Sequence, residues 1–137
     1  FANSILYDTL DPRAAYAVGR VATRINLYDG LMSWMDNPPQ LQPTLAESYT
    51  ISDDALSYTF TLRKGTKFHD GSTLEADDVV YSMERLLGMK KGAFSLFSNT
   101  IEPGTTKALD SNTVQFTLTE PSSAFLSTVP ALVLVTP

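Results

Sequence analysis

Two stretches of the chain alternate apolar and polar residues, and this pattern restricts the fold more than any other feature of the sequence. Their apolar members are Tyr58, Phe60 and Leu62 in the first stretch and Val114, Phe116 and Leu118 in the second. Because successive side chains of a strand point to opposite faces of a sheet, each stretch predicts a strand with one buried face. Turn-prone residues precede them at 52–54 and 110–112, so we predict two antiparallel hairpins whose first strands lie at 48–51 and 105–109.

Helical periodicity predicts three helices around these hairpins. The clearest covers residues 76–87, where acidic residues occupy the first turn and Gly88 is expected to end the helix. An amphipathic helix is predicted at about residues 17–29, and a shorter one at 121–129. The apolar residues 132–135 predict a buried strand. Hairpins separated by helices place the chain in the α+β class.

Prolines and glycines mark further turns. Pro38 and Pro39 predict a loop, because neither residue can donate a backbone hydrogen bond. Asp70 and Gly71 predict a tight turn that follows a short extended segment at residues 66–68.

Composition excludes several classes of protein. With 10 basic and 15 acidic side chains, the chain has a formal net charge of −5 and lacks the basic surface that nucleic-acid binding requires. It contains no cysteine, which excludes disulfides, cysteine-ligated zinc and cysteine nucleophiles within it. Its longest apolar stretch, at 129–135, is far shorter than the roughly 20 residues that cross a bilayer. Because the first residue is Phe1, we expect a mature or trimmed product.

The residues that could support catalysis or metal binding have simpler structural interpretations. His69 is the only histidine, so a hydrolase would have to use it with a serine, yet no Gly-x-Ser-x-Gly motif surrounds any serine. The carboxylates of Asp70, Glu75, Asp77 and Asp78 belong to a turn and to a helix start, where negative charge is favourable. Their spacing does not match an EF-hand loop. We therefore predict no catalytic residue, no metal site and no cofactor.

Several aromatic residues lie in segments without a regular pattern, namely Tyr16, Trp34, Phe94 and Phe97. Such segments often carry ligand-binding side chains, whereas packing in a core is the commoner role of an aromatic ring. The residues alone leave both roles open, and they indicate an acidic α+β domain without visible catalytic machinery.

A series of short motifs follows along nearly the whole chain. They are Leu10-Asp-Pro12, Asn26-Leu-Tyr-Asp-Gly-Leu31, Leu45-Ala-Glu-Ser-Tyr49, Ser52-Asp-Asp54, Tyr58-Thr-Phe-Thr-Leu-Arg63, Phe68-His-Asp-Gly71, Ala76-Asp-Asp-Val-Val-Tyr-Ser82, Ala108-Leu-Asp-Ser-Asn-Thr-Val114 and Phe125-Leu126. In this order they resemble the extracellular solute-binding proteins of the peptide/nickel/opine ABC-transporter family, family 5. Two positions depart from the family pattern. Ala55 replaces the usual glycine after the turn aspartate, and Glu75 replaces a Ser or Thr helix cap.

The resemblance implies a fold and a position within it. Members of the family are several times longer than this chain and have two lobes that close on a ligand. The chain is then the N-terminal part of lobe one of a two-lobed, periplasmic-binding-protein-like fold (type II, large cluster), with hairpins packed against helices. Residues 1–137 would form the N-terminal portion of lobe I, including a small inserted subdomain at about 35–130. The rest of lobe I and all of lobe II would lie outside the chain.

The resemblance also implies a function. We expect the substrate-capture receptor of an ABC importer, which binds peptides or opine-like amino-acid conjugates and delivers them to the permease subunits in the membrane. The parent would be monomeric and periplasmic, or held outside the cell by a lipid anchor, without enzymatic activity or a nucleic-acid partner. A hydrolase using His69 and a serine, or a non-transport adaptor on the same fold, stays open as an alternative. Nickel-type members carry an arginine shortly after the Phe-Leu motif, where this chain has Ala131-Leu132-Val133, so a nickel ligand is less favoured.

Finally, the resemblance implies a set of solute-binding residues. In peptide-binding members the segment after the Leu-Asp-Pro motif runs beside the ligand, and here it corresponds to Tyr16, Ala17 and Val18. The loop after the helix at 76–87 commonly presents an aromatic ring to the cleft, and Phe94 is the nearest match. We expect the rings of Tyr16 and Phe94 and the backbone of Val18 to contact the solute, with internal packing of both rings as the alternative.

Overall fold

The computed structural model describes residues 11, 26–132 and 134 of the chain. Within them the strands are β1 (Met32–Met35), β2 (Gln40–Pro43), β3 (Ala46–Ile51), β4 (Ser57–Leu62), β5 (Lys107–Asp110) and β6 (Thr113–Thr117). The helices are α1 (Ala76–Met89), α2 (Phe94–Phe97) and α3 (Phe125–Thr128), and α3 continues into a 3-10 helix at Val129–Ala131. This mixture confirms the predicted α+β class.

The main sheet has four antiparallel strands in the order β3–β4–β6–β5. This order joins the two predicted hairpins through their second strands, so that Tyr58 pairs with Phe116 and Phe60 with Val114. Along β4 and β6 the apolar residues are buried while the residues between them are only partly covered. Both hairpins, and the buried face that their alternation predicted, are therefore confirmed.

Helix α1 packs against β5 and β6. Its apolar residues Val79 and Met83 are fully buried in one core with Phe60 and Phe116 of the sheet. The rings of Phe60 and Phe116 meet edge to face, with centroids 5.7 Å apart and an interplanar angle of 88°. This arrangement is favourable because the positive edge of one ring faces the negative face of the other.

Both ends of α1 differ in detail from the prediction. The expectation that Gly88 ends the helix is wrong, because α1 continues to Met89 and the left-handed residue that follows is Lys90, with φ 50°. A glycine inside a helix costs about 1 kcal/mol relative to alanine but does not stop it. At the other end the backbone N–H of Glu75 donates to the carboxylate of Asp78 at 2.8 Å. An acidic pair thus begins the helix without a Ser or Thr cap.

The helix predicted at 121–129 is shorter than expected. The carbonyl of Ser122 accepts hydrogen bonds from the N–H of Phe125 at 3.2 Å and from the hydroxyl of Tyr58 at 3.1 Å. These bonds make a turn before α3, and helical structure begins only at Phe125. The rings of Tyr58 and Phe125 lie 4.7 Å apart, so the turn places α3 against the sheet.

Two further predictions fall only partly on described residues. Of the helix predicted at 17–29, residues 26–27 are helical, residues 28–29 are not, and the rest lies outside the described residues. Of the strand predicted at 132–135, Leu132 and Leu134 are buried as expected, but neither lies in a strand. The N–H of Leu134 donates instead to the carbonyl of Asp29 at 2.9 Å.

Strands β1 and β2 form a separate two-stranded hairpin that the sequence pattern did not predict. Pro38 and Pro39, predicted to form a loop, lie in its turn, and the Asn37–Pro38 peptide bond is cis. Trp34 is 50% exposed on this hairpin.

The turn between β3 and β4 holds Ala55 in the left-handed region, with φ 56°. The N–H of Ala55 donates to the carbonyl of Ser52 at 2.8 Å, and the carboxylate of Asp54 accepts from the N–H of Leu56 at 3.0 Å. The turn thus keeps a shape that suits glycine although the residue has a Cβ atom.

We expect Ala55→Gly to raise the free energy of unfolding by roughly 0.5–1 kcal/mol. The left-handed region costs an L-residue about 1–2 kcal/mol, and the greater freedom of glycine in the unfolded chain offsets part of the relief. Urea unfolding of the full-length protein measures the change. Ala108→Gly, in the strand β5, is the matched control and should lower stability. A loss of stability in Ala55→Gly as well would contradict the interpretation.

Candidate functional site

A cavity of about 370 Å³ lies between the segment 27–29 and the loop 66–74. Its buried lining is apolar and includes Leu74 and Leu134, while its exposed lining is polar or charged except for Leu27, which is 43% exposed. The charged and polar members of that exposed lining include Asp29, Lys67, His69 and Asp70. A cavity with an apolar floor and with positive and negative side chains at its rim can bind a small zwitterionic solute.

The loop that forms one wall of the cavity is held by its own hydrogen bonds. The N–H of Phe68 donates to the carbonyl of Ser72 at 2.9 Å, and Gly71 between them takes φ 90°, which only glycine adopts without strain. The carboxylate of Asp70 accepts from the hydroxyl of Ser72 at 2.6 Å and from its N–H at 2.9 Å. These bonds, the hydroxyl first, lower the pKa of Asp70 below its usual value. The predicted Asp-Gly turn is confirmed.

The arrangement gives no support to hydrolytic or metal chemistry in the described part of the chain. His69 is exposed on the turn, and the hydroxyl of the nearby Ser72 donates to Asp70. A nucleophilic serine would need its hydroxyl paired with the imidazole. Among residues 11, 26–132 and 134, no group of three or more His, Cys, Asp or Glu side chains is arranged to hold a metal ion.

The predicted solute-binding residues do not line this cavity where the structure describes them. Phe94 is the first residue of α2, and its half-buried ring packs against the core while the remainder faces solvent. Tyr16, Ala17 and Val18 lie outside the described residues. The other two aromatic candidates differ in exposure, since Phe97 is fully buried and Trp34 is half exposed.

Sequence reasoning did not find the cavity, although it predicted the loop that forms one wall. The turn at Asp70 and Gly71 is visible as a local signal. No local pattern, however, brings residues 66–74 beside Asp29 and Leu134, because the contact joins segments far apart in the sequence.

Two distant segments also run side by side at the edge of the described structure. Gly30 lies so close to the backbone of Leu132 that a Cβ atom added to it would be 2.9 Å from the Leu132 carbonyl oxygen. The hydroxyl of Thr44 donates to the carbonyl of Gly30 at 2.6 Å, and Leu134 is bonded to Asp29. Residues near position 30 and residues near position 132 are therefore adjacent in the structure.

We expect Gly30→Ala to lower the free energy of unfolding by roughly 1–3 kcal/mol, because the added methyl group meets backbone that cannot move alone. Thermal unfolding of the full-length protein measures the loss. Gly88→Ala is the control, since its Cβ would meet nothing within 4 Å and alanine favours the helix. Equal effects of the two substitutions on the free energy of unfolding would show that position 30 can accept a Cβ atom despite its short distance from the Leu132 carbonyl.

Residues 40–137 match the family model of bacterial extracellular solute-binding proteins, family 5 Middle. The chain is 36% identical over 137 residues to the glutathione-binding protein GsiB of Escherichia coli, an alignment that covers 96% of the chain and 26% of the relative. It therefore spans about a quarter of the length of the curated relatives it matches.

Solved structures show the same likeness. The PBP AgaA of A. tumefaciens in complex with agropinic acid has a TM-score of 0.78 at 34% identity, over 93% of this chain and 26% of AgaA. Haemophilus influenzae OppA complexed with RPPGFSPFR has a TM-score of 0.84 at 25% identity, over 93% of this chain and 28% of OppA. Within the described residues, no helix has the length and apolar character needed to cross a membrane.

Proposed function

The chain belongs to the bacterial extracellular solute-binding proteins of family 5, and from this we propose that it is part of the substrate-capture receptor of an ABC importer. The full-length protein binds peptides or opine-like amino-acid conjugates and delivers them to the permease subunits in the membrane. It works as a monomer in the periplasm, or outside the cell on a lipid anchor. The description of the family as extracellular supports this location.

The similarity to GsiB across 96% of the chain is the observation that carries this proposal. Glutathione is a small peptide, and the structural relatives were solved with agropinic acid and with a longer peptide. These ligands carry charged groups next to less polar parts, which is the chemistry that a capture receptor for amino-acid conjugates must recognise.

The family consists of binding proteins without enzymatic activity, so the hydrolase alternative that uses His69 is wrong. The exposed position of His69 agrees with this. The adaptor alternative predicts a full-length protein that binds no small solute. Equilibrium binding to glutathione, agropinic acid and short peptides therefore distinguishes an adaptor from a receptor.

Within this receptor, residues 1–137 form the N-terminal portion of lobe I, and residues at about 35–130 form its small inserted subdomain. Two contacts between residues near position 30 and residues near position 132 support this assignment. The backbone of Gly30 lies against that of Leu132, and the carbonyl of Asp29 accepts a hydrogen bond from the N–H of Leu134. The two ends of the intervening segment are therefore adjacent in space. An insertion that leaves its parent fold intact needs such adjacent ends.

The solute contacts in this portion are Tyr16, Ala17, Val18 and Phe94. Phe94 keeps part of its ring exposed at the start of α2, which suits a contact with a planar or apolar part of the solute. Its remaining surface packs against the core, which fixes the ring at little further entropic cost.

We expect Tyr16→Ala and Phe94→Ala each to weaken solute binding about tenfold, the loss of roughly 1.4 kcal/mol of contact energy. Calorimetry on the full-length protein with glutathione, agropinic acid and tetrapeptides measures the dissociation constants. Trp34→Ala removes an aromatic ring that is 50% exposed on β1 and is not one of the proposed contacts, and it should leave the constants unchanged. Unchanged affinity in both site variants would remove these residues from the site.

A further inference from the structure

The cavity between the segment 27–29 and the loop 66–74 has the size of a small-molecule site. Its volume of about 370 Å³ corresponds to roughly a dozen water molecules at liquid density. A free amino acid fits into this space, whereas a longer peptide would extend into solvent. Phe94, the described member of the proposed solute contacts, does not line the cavity. The cavity therefore needs an assignment of its own.

One wall of the cavity is a small hairpin whose own backbone bonds hold it in shape. Lys67 and Thr73 form an antiparallel bridge, and the N–H of Leu74 donates to the carbonyl of Thr66 at 2.9 Å. A wall that is already formed in the free protein has little conformational freedom to lose when a ligand binds. This wall is therefore ready to contact a ligand without rearrangement.

The floor of the cavity is apolar. Leu74 and Leu134 are buried there, and Leu45 and Phe68 lie half-buried beside them. An apolar group placed on this floor removes its own surface and part of theirs from water, which favours binding. The floor therefore suits the side chain of an apolar amino acid.

The rim of the cavity carries charges of both signs. Lys67 and Asp29 are exposed there, and in the described part of the chain neither of them belongs to a salt bridge. Asp70, whose carboxylate is oriented by its two bonds to Ser72, adds a second negative charge. A ligand that carries one carboxylate and one ammonium group is complementary to both signs at once.

We propose that this cavity binds a free α-amino acid with an apolar side chain. The carboxylate of the amino acid contacts Lys67, its ammonium group contacts Asp29, and its side chain lies against Leu74 and Leu134. The site is additional to the solute contacts of the proposed function and does not depend on them. Because the charged groups at the rim are exposed, their contacts are weak, and we expect a dissociation constant of about 1 mM.

Hydrogen exchange of the full-length protein, measured by mass spectrometry with and without L-leucine, tests the site. Exchange in residues 66–74 should slow about tenfold at roughly ten times the dissociation constant, because leucine stabilises the closed loop. Leucinamide lacks the carboxylate and N-acetylleucine lacks the ammonium group, so each should slow exchange less at the same concentration. Equal slowing by all three compounds would overturn the assignment to a zwitterion. No slowing by leucine, the result expected if the remainder of the full-length protein fills the cavity, would overturn the site itself.

Substitutions at the rim test the two charged contacts. Lys67→Met and Asp29→Asn should each weaken leucine binding about three- to fivefold, the range for exposed charged contacts, without unfolding the protein. The matched controls Lys107→Met and Asp53→Asn remove the same charges from exposed positions that do not line the cavity, and they should bind as the wild type does. Leucine binding by Lys67→Met and Asp29→Asn that equals the wild type would overturn the inference.

Discussion

Replacing Phe60 with alanine is expected to lower the free energy of unfolding by about 3–5 kcal/mol, the range found for buried aromatic residues. Phe60 is fully buried at the centre of β4, and its ring packs edge to face with the ring of Phe116. The strand cannot close the resulting space, because its backbone is paired on both sides by β3 and β6. A cavity therefore remains where the ring was.

Urea unfolding followed by circular dichroism on the full-length protein measures this loss. Thr61→Ala is the matched control, because Thr61 is the next residue of β4 and points to the opposite, partly exposed face of the sheet. Its cost should stay within about 1 kcal/mol. Similar costs at positions 60 and 61 would contradict the buried face described for β4.

The isolated 1–137 polypeptide is expected to bind glutathione, agropinic acid and peptides about a thousandfold more weakly than the full-length protein, or not measurably. A two-lobed receptor encloses its solute and excludes water from its polar groups, whereas one wall offers only part of the contacts. The cost of immobilising the solute stays the same. Losing about 4 kcal/mol of contacts moves a micromolar dissociation constant to the millimolar range.

The isolated polypeptide is also expected to self-associate. The edge strands β3 and β5 carry exposed apolar residues, with Ile51 at 44% and Leu109 at 55% exposure. An open sheet edge with apolar side chains pairs readily with another chain. Sedimentation of the fragment, with calorimetry beside it, tests both expectations. A monomer that binds one of these solutes at micromolar affinity would place the whole site within residues 1–137.

Sequence periodicity predicted those elements whose formation depends on burying one of their own faces. The alternation in β4 and β6 and the apolar stripe of α1 identified these elements, because burying one face of each requires that period. β1 was missed, because residues such as Trp34 and Met35 at its end are exposed and follow no alternation. The start of α3 was predicted too early, because the hydroxyl of Tyr58 bonds to Ser122 across the structure.

The candidate site was less predictable from the sequence. The resemblance to the family supplied Tyr16, Ala17, Val18 and Phe94, since no spacing of residue types indicates a site for a neutral or zwitterionic solute. The cavity joins residues 27–29 to the loop 66–74 and to Leu134, and this contact leaves no local trace in the sequence. Only the folded structure brings its members together.

The proposed function is tested most directly by calorimetry of the full-length protein with glutathione, agropinic acid and short peptides, combined with mass spectrometry of the recovered solute. The account predicts saturable binding of at least one of them, one solute per protein, and recovery of that solute chemically unchanged. Either a cleaved or modified solute, or the absence of binding to every member of the set, would contradict it.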